Sequence, residues 1–330
     1  MDLELTSFLA GKPLATLPVV SGSWKLSDEA AVAVPGAIEF SVPATDEWVP
    51  ATPTHPLASY GQRVRARIDG TTWAWFRMNR PRRDGEVIQC SGQGLLREAD
   101  RARLLLSWQT VDGDTRGSVA KALLAGILPV VISPALTDEA MPITLWEEDR
   151  LAAFFEVLET WPARVEMRDQ AVWVLPAWDD ATPGAPVGAL VDGEGGTLID
   201  LAPASDDDDP YNGCVASTVP AEDEAAVVAF WGMPDGPMAW GGPYGQNPRF
   251  FSSSLNPTDR TALTAIAEKL TRRDVGAGLT LTFTAVPDPT MRPGDVVTVR
   301  SSRRGVDGLG RITAVELTRD ALTGSVAMLP

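Results

Sequence analysis

The sequence predicts a mainly β protein with α+β insertions. Three observations lead there. Short apolar–polar alternations bounded by Gly, Pro and Asp fill both ends of the chain, and a half-buried strand needs that alternation. The pair Asp69-Gly70 separates two such runs, and Asp-Gly suits a two-residue hairpin because both turn residues adopt positive φ. Helical stripes with capping residues are confined to the middle of the chain and to one stretch after residue 256.

In order, residues 1–95 read as strands. Val32 and Val34 alternate, as do Ile38, Phe40 and Val42 beyond the Pro35-Gly36 turn. Arg63 to Ile68 and Thr71 to Arg77 flank Asp69-Gly70, with Val64, Ala66 and Ile68 facing inward and Trp73 and Trp75 sharing a face. Glu86 to Ser91 is a further strand. Residues 96–180 form an α+β unit. Asp114 or Thr115 caps a helix through Gly126, and Pro129 ends it. Thr144-x-x-Glu147 reads as a capping box for a second helix, whose stripe is Leu151, Phe154, Phe155 and Leu158 and whose stop is Pro162. A hairpin follows, Ala163 to Arg168 and Ala171 to Leu175.

Residues 181–330 return to strands, with one helix over about 257–273. The stretch 179–212 is rich in loops, with short strands at Val187 to Val191 and Thr197 to Leu201. Gly213 to Val219 and Ala225 to Trp231 read as strands, and Met233 to Arg249 as an irregular Gly-Pro loop. Asn256 caps the helix, with Pro257 at its first position and Leu263, Ile266, Ala267 and Leu270 as its stripe. Leu279, Leu281 and Phe283 alternate, then Val297 and Val299, then Ile312 to Thr318 and Ser325 to Leu329 around a turn.

At ~150 residues per domain, 330 residues correspond to about two domains, and a 44% hydrophobic content suits a globular chain. The net charge of -16 argues against stable nucleic-acid binding, which needs a basic face to displace counterions. It also opposes binding to anionic membranes. No apolar run reaches the ~20 residues of a membrane span; the best, Ala122 to Ile132, is broken by Gly126 and Pro129. Met1 to Leu5 lacks the basic and apolar regions of a signal peptide, so the expected site of synthesis and assembly is a cytoplasm.

The chemistry-bearing residues are sparse. Cys90, Cys214 and the single His55 supply neither a zinc set nor a nucleophile–histidine constellation. No phosphate loop, G-x-S-x-G or H-E-x-x-H motif occurs, so no catalytic or cofactor-binding residue is assigned. The run Asp206, Asp207, Asp208, Asp209 offers hard oxygen ligands for Ca²⁺ but lacks EF-hand spacing, and reads first as a solvated loop. Among 11 tryptophans, Trp24, Trp73, Trp75, Trp173 and Trp231 sit in strand-like runs and are expected in the core. Trp240 lies in a Gly-Pro loop and is a candidate interface anchor ahead of a sugar contact. Arg80, Arg82 and Arg83, with neighbouring Arg77, and Arg303 and Arg304, with neighbouring Arg300, are candidate docking cations for an acidic neighbour, or else solvated strand ends.

The stretch Pro287-Asp288-Pro289-Thr290-Met291-Arg292-Pro293-Gly294-Asp295-Val296-Val297-Thr298-Val299, followed by Gly310 to Thr318 and a last strand, resembles the late segment of bacteriophage tail-hub proteins. Tyr211 to Val215 and the helix Thr261 to Arg273 fall where that family has a strand and a helix, and Ser23-Trp24 through Pro43 looks like the opening of minor tail proteins of actinobacteriophages. The resemblance implies two tube-type β-barrels joined by a small α+β domain. It implies a virion protein of the tail tip: a homotrimeric baseplate hub linking the distal tail ring and tape measure protein to tip or fibre proteins, around the channel through which DNA passes in transit. It implies no catalysis and no cofactor, and no appended lytic module is expected after Pro330. The acidic balance would then suit a channel lining that DNA does not adhere to. Two other readings remain: a cell-wall-directed glycan-binding or hydrolytic tip protein, and the hexameric distal tail protein.

Overall fold

The computed structural model describes residues 1–330 except 31, 51, 162, 179–181, 204–210, 220–224, 279 and 330, with backbone alone at 276–278. The N-terminal strands are β1 (Leu3–Leu9), β2 (Lys12–Thr16), β3 (Trp24–Glu29), β4 (Ala37–Pro43), β5 (Arg63–Ile68), β6 (Thr71–Met78), β7 (Arg82–Asp84) and β8 (Val87–Gly94). The middle holds α1 (Leu96–Arg101), β9 (Trp108–Gln109), α2 (Arg116–Leu124), β10 (Val130–Ile132), β11 (Leu145–Trp146), α3 (Arg150–Glu159), β12 (Ala163–Arg168) and β13 (Ala171–Pro176). The remainder is β14 (Gly188–Val191), β15 (Leu198–Pro203), β16 (Gly213–Thr218), β17 (Val228–Gly232), β18 (Pro248–Ser253), α4 (Arg260–Gly278), β19 (Thr280–Ala285), β20 (Val296–Ser301), β21 (Val306–Leu317) and β22 (Leu322–Met328). The chain is mainly β, as its alternation predicts.

Strands from both ends of the chain join one 14-stranded sheet, in the order β15-β19-β22-β21-β3-β4-β8-β6-β5-β1-β2, with β20 and β14 branching from β21 and β7 from β8. The seam is β3 against β21, pairing Leu26 with Leu317 and Asp28 with Val315. This departs from the two closed barrels expected: no ladder among the described residues closes a ring. The reason lies in β21, a 12-residue strand whose first half spends one edge on β20 and whose second half spends the same edge on β3. Between β14 and β15 a side chain bridges instead, Thr197 Oγ1 donating to the Ala189 carbonyl at 2.9 Å.

The hairpin at Asp69-Gly70 forms as the residues require, with φ of 47° and 83°. Val64, Ala66 and Ile68 are buried. Trp73 and Trp75 do not share a face: the register slips between Ala66 and Arg67, Trp73 is the extra residue, and Phe76 and Met78 take the core positions beside it. Of the tryptophans expected inside, Trp24 and Trp73 are buried. Trp75, Trp173 and Trp231 are half-buried, each with an arginine over its ring (Arg65, Arg168 and Arg272). Val32 and Val34 lie in a bend rather than a strand.

Helix starts moved as well. Of the two caps the sequence offers, Thr115 is the one that caps α2, in a reciprocal box with Ser118. The second helix begins at Arg150, capped by Asp149, whose carboxylate accepts from Ala152 N–H at 3.0 Å. Thr144 is unavailable for capping because its backbone pairs with Thr110. Likewise Asp259, not Asn256, caps α4 by accepting from Ala262 N–H at 2.8 Å. Asn256 is buried and donates to the Ser217 carbonyl. Pro162 and Leu279, given roles by the sequence, and Asp179-Asp180, which open the loop-rich stretch, lie outside the described residues.

Polar and cationic contacts dock the middle unit on the large sheet. Glu98 of α1 takes Arg63 at 2.6 Å and Arg77 at 3.5 Å. Trp178 lies between the guanidinium groups of Arg164 and Arg311, each 5.0 Å from its ring. Arg292 stacks on Trp73 at 4.1 Å and faces Asp28 and Asp295, with Glu166 of β12 also acting on it. Burial lowers the Arg292 pKa to about 10 and, despite Arg292, raises those of Asp28 and Asp295.

Candidate assembly surface

Two surfaces stand out by exposing apolar side chains in an acidic chain. The first is the outer face of the three-stranded sheet β17-β16-β18. Its inner face, carrying Cys214, Ala216 and Ala229, packs under Leu263, Ala267 and Leu270 of α4. Strand alternation turns the other set outward. Val215, Phe230 and Phe250 are in register across that outer face, and Val228 lies one pair along. Phe250 is 76% exposed, and Phe230 and Val228 are also exposed.

Trp240, the candidate anchor, sits on this face and is half-buried. Its ring lies 4.8 Å from that of Phe230 and rests on Gly213 and Gly232. A Cβ on Gly213 would come within 2.5 Å of the indole, so only glycine admits this approach.

The second surface is an arm made by β9 and β11, where Trp108 and Trp146 stack at 5.6 Å. Leu145 and Gln109 are partners. The next pair, Thr110 and Thr144, brings Val111 opposite Ile143 and back to the Leu145 face. Val111, Ile143 and Leu145 are exposed, and Leu105 and Leu106, just before β9, are 95% and 84% exposed.

The predicted cations divide. Arg82 and Arg83 lie on β7 and, with Arg80, are exposed. Arg303 and Arg304, at the tip of the β20–β21 hairpin, are held within the chain: Arg303 Nε donates to Asp192 at 3.3 Å, and Arg304 pairs with Asp200 at 3.7 Å. Asp192 also accepts from Ser301 Oγ and from the backbone of Ser302 and Arg303, which holds its carboxyl well below the usual range. Asp206 to Asp209 lie outside the described residues.

The sequence reading missed Phe250, Phe230, Leu105, Leu106, Ile143 and Leu145. The run Leu104-Leu105-Leu106 was the available signal, because three successive leucines cannot all face one core.

Among the described residues no group of three or more His, Cys, Asp or Glu is placed to hold a metal ion. His55 is occupied in its loop, Nδ1 accepting from Leu57 N–H and Nε2 meeting the Glu47 carbonyl. Cys90 and Cys214 are free and buried in separate clusters, and burial pushes their thiols up to about 12 and 11, away from the reactive thiolate. A depression at the seam is lined by polar groups including Ser27, Glu29, Thr284 and Glu316, together with Val32, Val34 and Phe283.

No protein-family model matches the sequence, and no curated protein matches it. Solved structures do. The tail protein from Neisseria meningitidis MC58 superposes with a TM-score of 0.69 at 15% identity, over 100% of this chain and 97% of that one. The 43 kDa tail protein of prophage MuSo2 from Shewanella oneidensis gives 0.69 at 11%, over 98% of both chains. A type VI secretion component of E. coli, described as similar to the T4 bacteriophage tail proteins gp27 and gp5, gives 0.61 at 11%, over 98% of this chain and 77% of that one. The chain thus has the fold of these tail proteins and of the secretion component.

Proposed function

We propose that this chain is a structural virion protein of a phage tail tip, of the actinobacteriophage minor-tail type, and acts without catalysis. It serves as a homotrimeric hub joining the distal tail ring and tape measure protein to tip or fibre proteins around the DNA channel. The observation that carries the reading is the end-to-end likeness to two phage tail proteins, each covered to 97% or more. In this reading residues 1–95 and 181–330 are the two tube-forming halves, joined through β3 and β21, and 96–180 is the outer α+β unit. The polar face at the seam, where Lys25 bridges Glu39 and Glu316, suits a channel wall.

Antibody-gold labelling of purified phage carrying this chain, with a deletion of its gene alongside, tests the proposal. Label at the distal end of the tail, and loss of adsorbing tailed particles on deletion, are expected. Infectious tails built without the chain would overturn it.

A further inference from the structure

Resting on the trimer proposed above, we infer that the ring closes head to tail: the leucine arm of one copy docks on the aromatic face of the three-stranded sheet of the next. A cyclic trimer needs two different mating patches on each chain, whereas a two-fold dimer needs one self-complementary patch. The chain carries two dissimilar apolar patches, the arm with Leu105, Leu106 and Ile143 and the face with Phe230 and Phe250.

Their placement suits a ring. Glu156 of α3 accepts from Trp146 Nε1 through one oxygen, at 2.7 Å, and from Ser253 Oγ through the other, at 2.8 Å. Trp146 and Ser253 are the inward residues of their strands. By alternation, Leu145 and Phe250 point away from this shared carboxylate, so both patches lie on the far side of their strands from the contact that joins them.

The areas also agree. A standard interface of ~800 Å² per partner, ~56–58% non-polar, asks for roughly 450 Å² of apolar surface on each side. An aromatic side chain offers roughly 150–250 Å². At their exposures Phe250 and Phe230, with Val228, Val219 and Tyr211, present on the order of 400 Å², and the arm's five side chains at least as much.

Charge does not oppose a second copy. No outward position of β16, β17 or β18 is charged, and neither are Leu105, Leu106, Val111, Ile143 or Leu145. In a chain of net charge -16, the strand positions and leucines named here bring no carboxylate of their own against a second copy. Trp240, held flat on two glycines, gives the face a stiff floor.

The test is the mass of the full chain in solution by mass photometry, across concentration. The variants are Leu105→Asp with Leu106→Asp on the arm, and Phe250→Asp on the face. Serine versions at the same positions serve if an aspartate variant loses its far-UV spectrum. Wild type is expected as a trimer, and each variant as a monomer with an unchanged spectrum. Mixing the two variants is expected to give a species of twice the chain mass and nothing larger, because one intact arm meets one intact face and the remaining patches are spoiled. Variants that stay trimeric would overturn the inference and leave the trimer standing. A wild-type chain that stays monomeric throughout would overturn both.

Discussion

The large sheet and the three-stranded sheet obey the same alternation and spend it in opposite ways. The large sheet buries bulky side chains such as Leu26, Phe76 and Val326 and turns Ser27, Glu29, Thr284 and Glu316 outward. The small sheet buries Cys214, Ala216 and Ala229 under α4 and turns Phe230 and Phe250 outward. A hydroxyl- and carboxylate-bearing face tolerates water or passing polyanion, while an aromatic face in water asks for cover. Burial alone therefore separates two residues of the same type: Phe76, 0% exposed, belongs to the core, and Phe250, 76% exposed, to the open face.

The sharpest way to break this contrast is to truncate both aromatics. Phe76→Ala is expected to cost ~3–5 kcal/mol in urea unfolding, because a fully buried ring leaves a cavity. A cost below about 1 kcal/mol would show that the large sheet does not carry the fold.

Next comes Arg292→Leu at the point where the two ends of the chain and β12 meet. Removing the guanidinium leaves Asp28 and Asp295 without their buried counter-charge, an expected loss of ~2–4 kcal/mol at pH 7. That loss should shrink toward acid pH as both carboxyls, already raised by burial, take up protons.

Lys269 of α4 ties the small-sheet unit to the middle unit, donating to the Trp161 carbonyl at 2.6 Å and the Glu159 carbonyl at 3.3 Å. Burial first, and then Arg273, lowers its pKa from 10.5 to about 8. Above pH 8 the unfolded chain holds this proton longer than the folded one, so Lys269 makes stability rise with pH from about 8 to 10.5. The buried thiols act in the opposite direction above pH 9, which makes the informative quantity a difference. Wild type minus Lys269→Met should increase by on the order of 2 kcal/mol across that window, and a flat difference would refute the buried ammonium.

The smallest effect is expected for Phe250→Ser, whose unfolding free energy, compared at a dilution where both proteins are monomeric, should stay within about 0.5 kcal/mol of wild type. A loss like that of Phe76→Ala would mean that the aromatic face is part of the core.

Legibility followed the range of the forces. Asp69-Gly70, the Thr115 cap and the α4 stripe were read correctly because each is settled within a few residues. Thr144-Glu147 failed because Thr110, 34 residues away, claims Thr144 first. The seam of β3 with β21 joins residues nearly 290 positions apart and leaves no local trace. Trp240 was found as an odd aromatic in a glycine loop. Phe250 was not, because Phe250-Phe251 is apolar on both parities and only α4 decides which ring is covered.

A map of the intact tail tip, at a resolution that separates sheets, tests the central claim most directly. Three copies should ring the channel, with the seam's polar face toward the lumen and Phe250 covered by a neighbouring subunit. Six copies, or a chain hung outside the tip with that face bare, would contradict the hub and its mode of closure together.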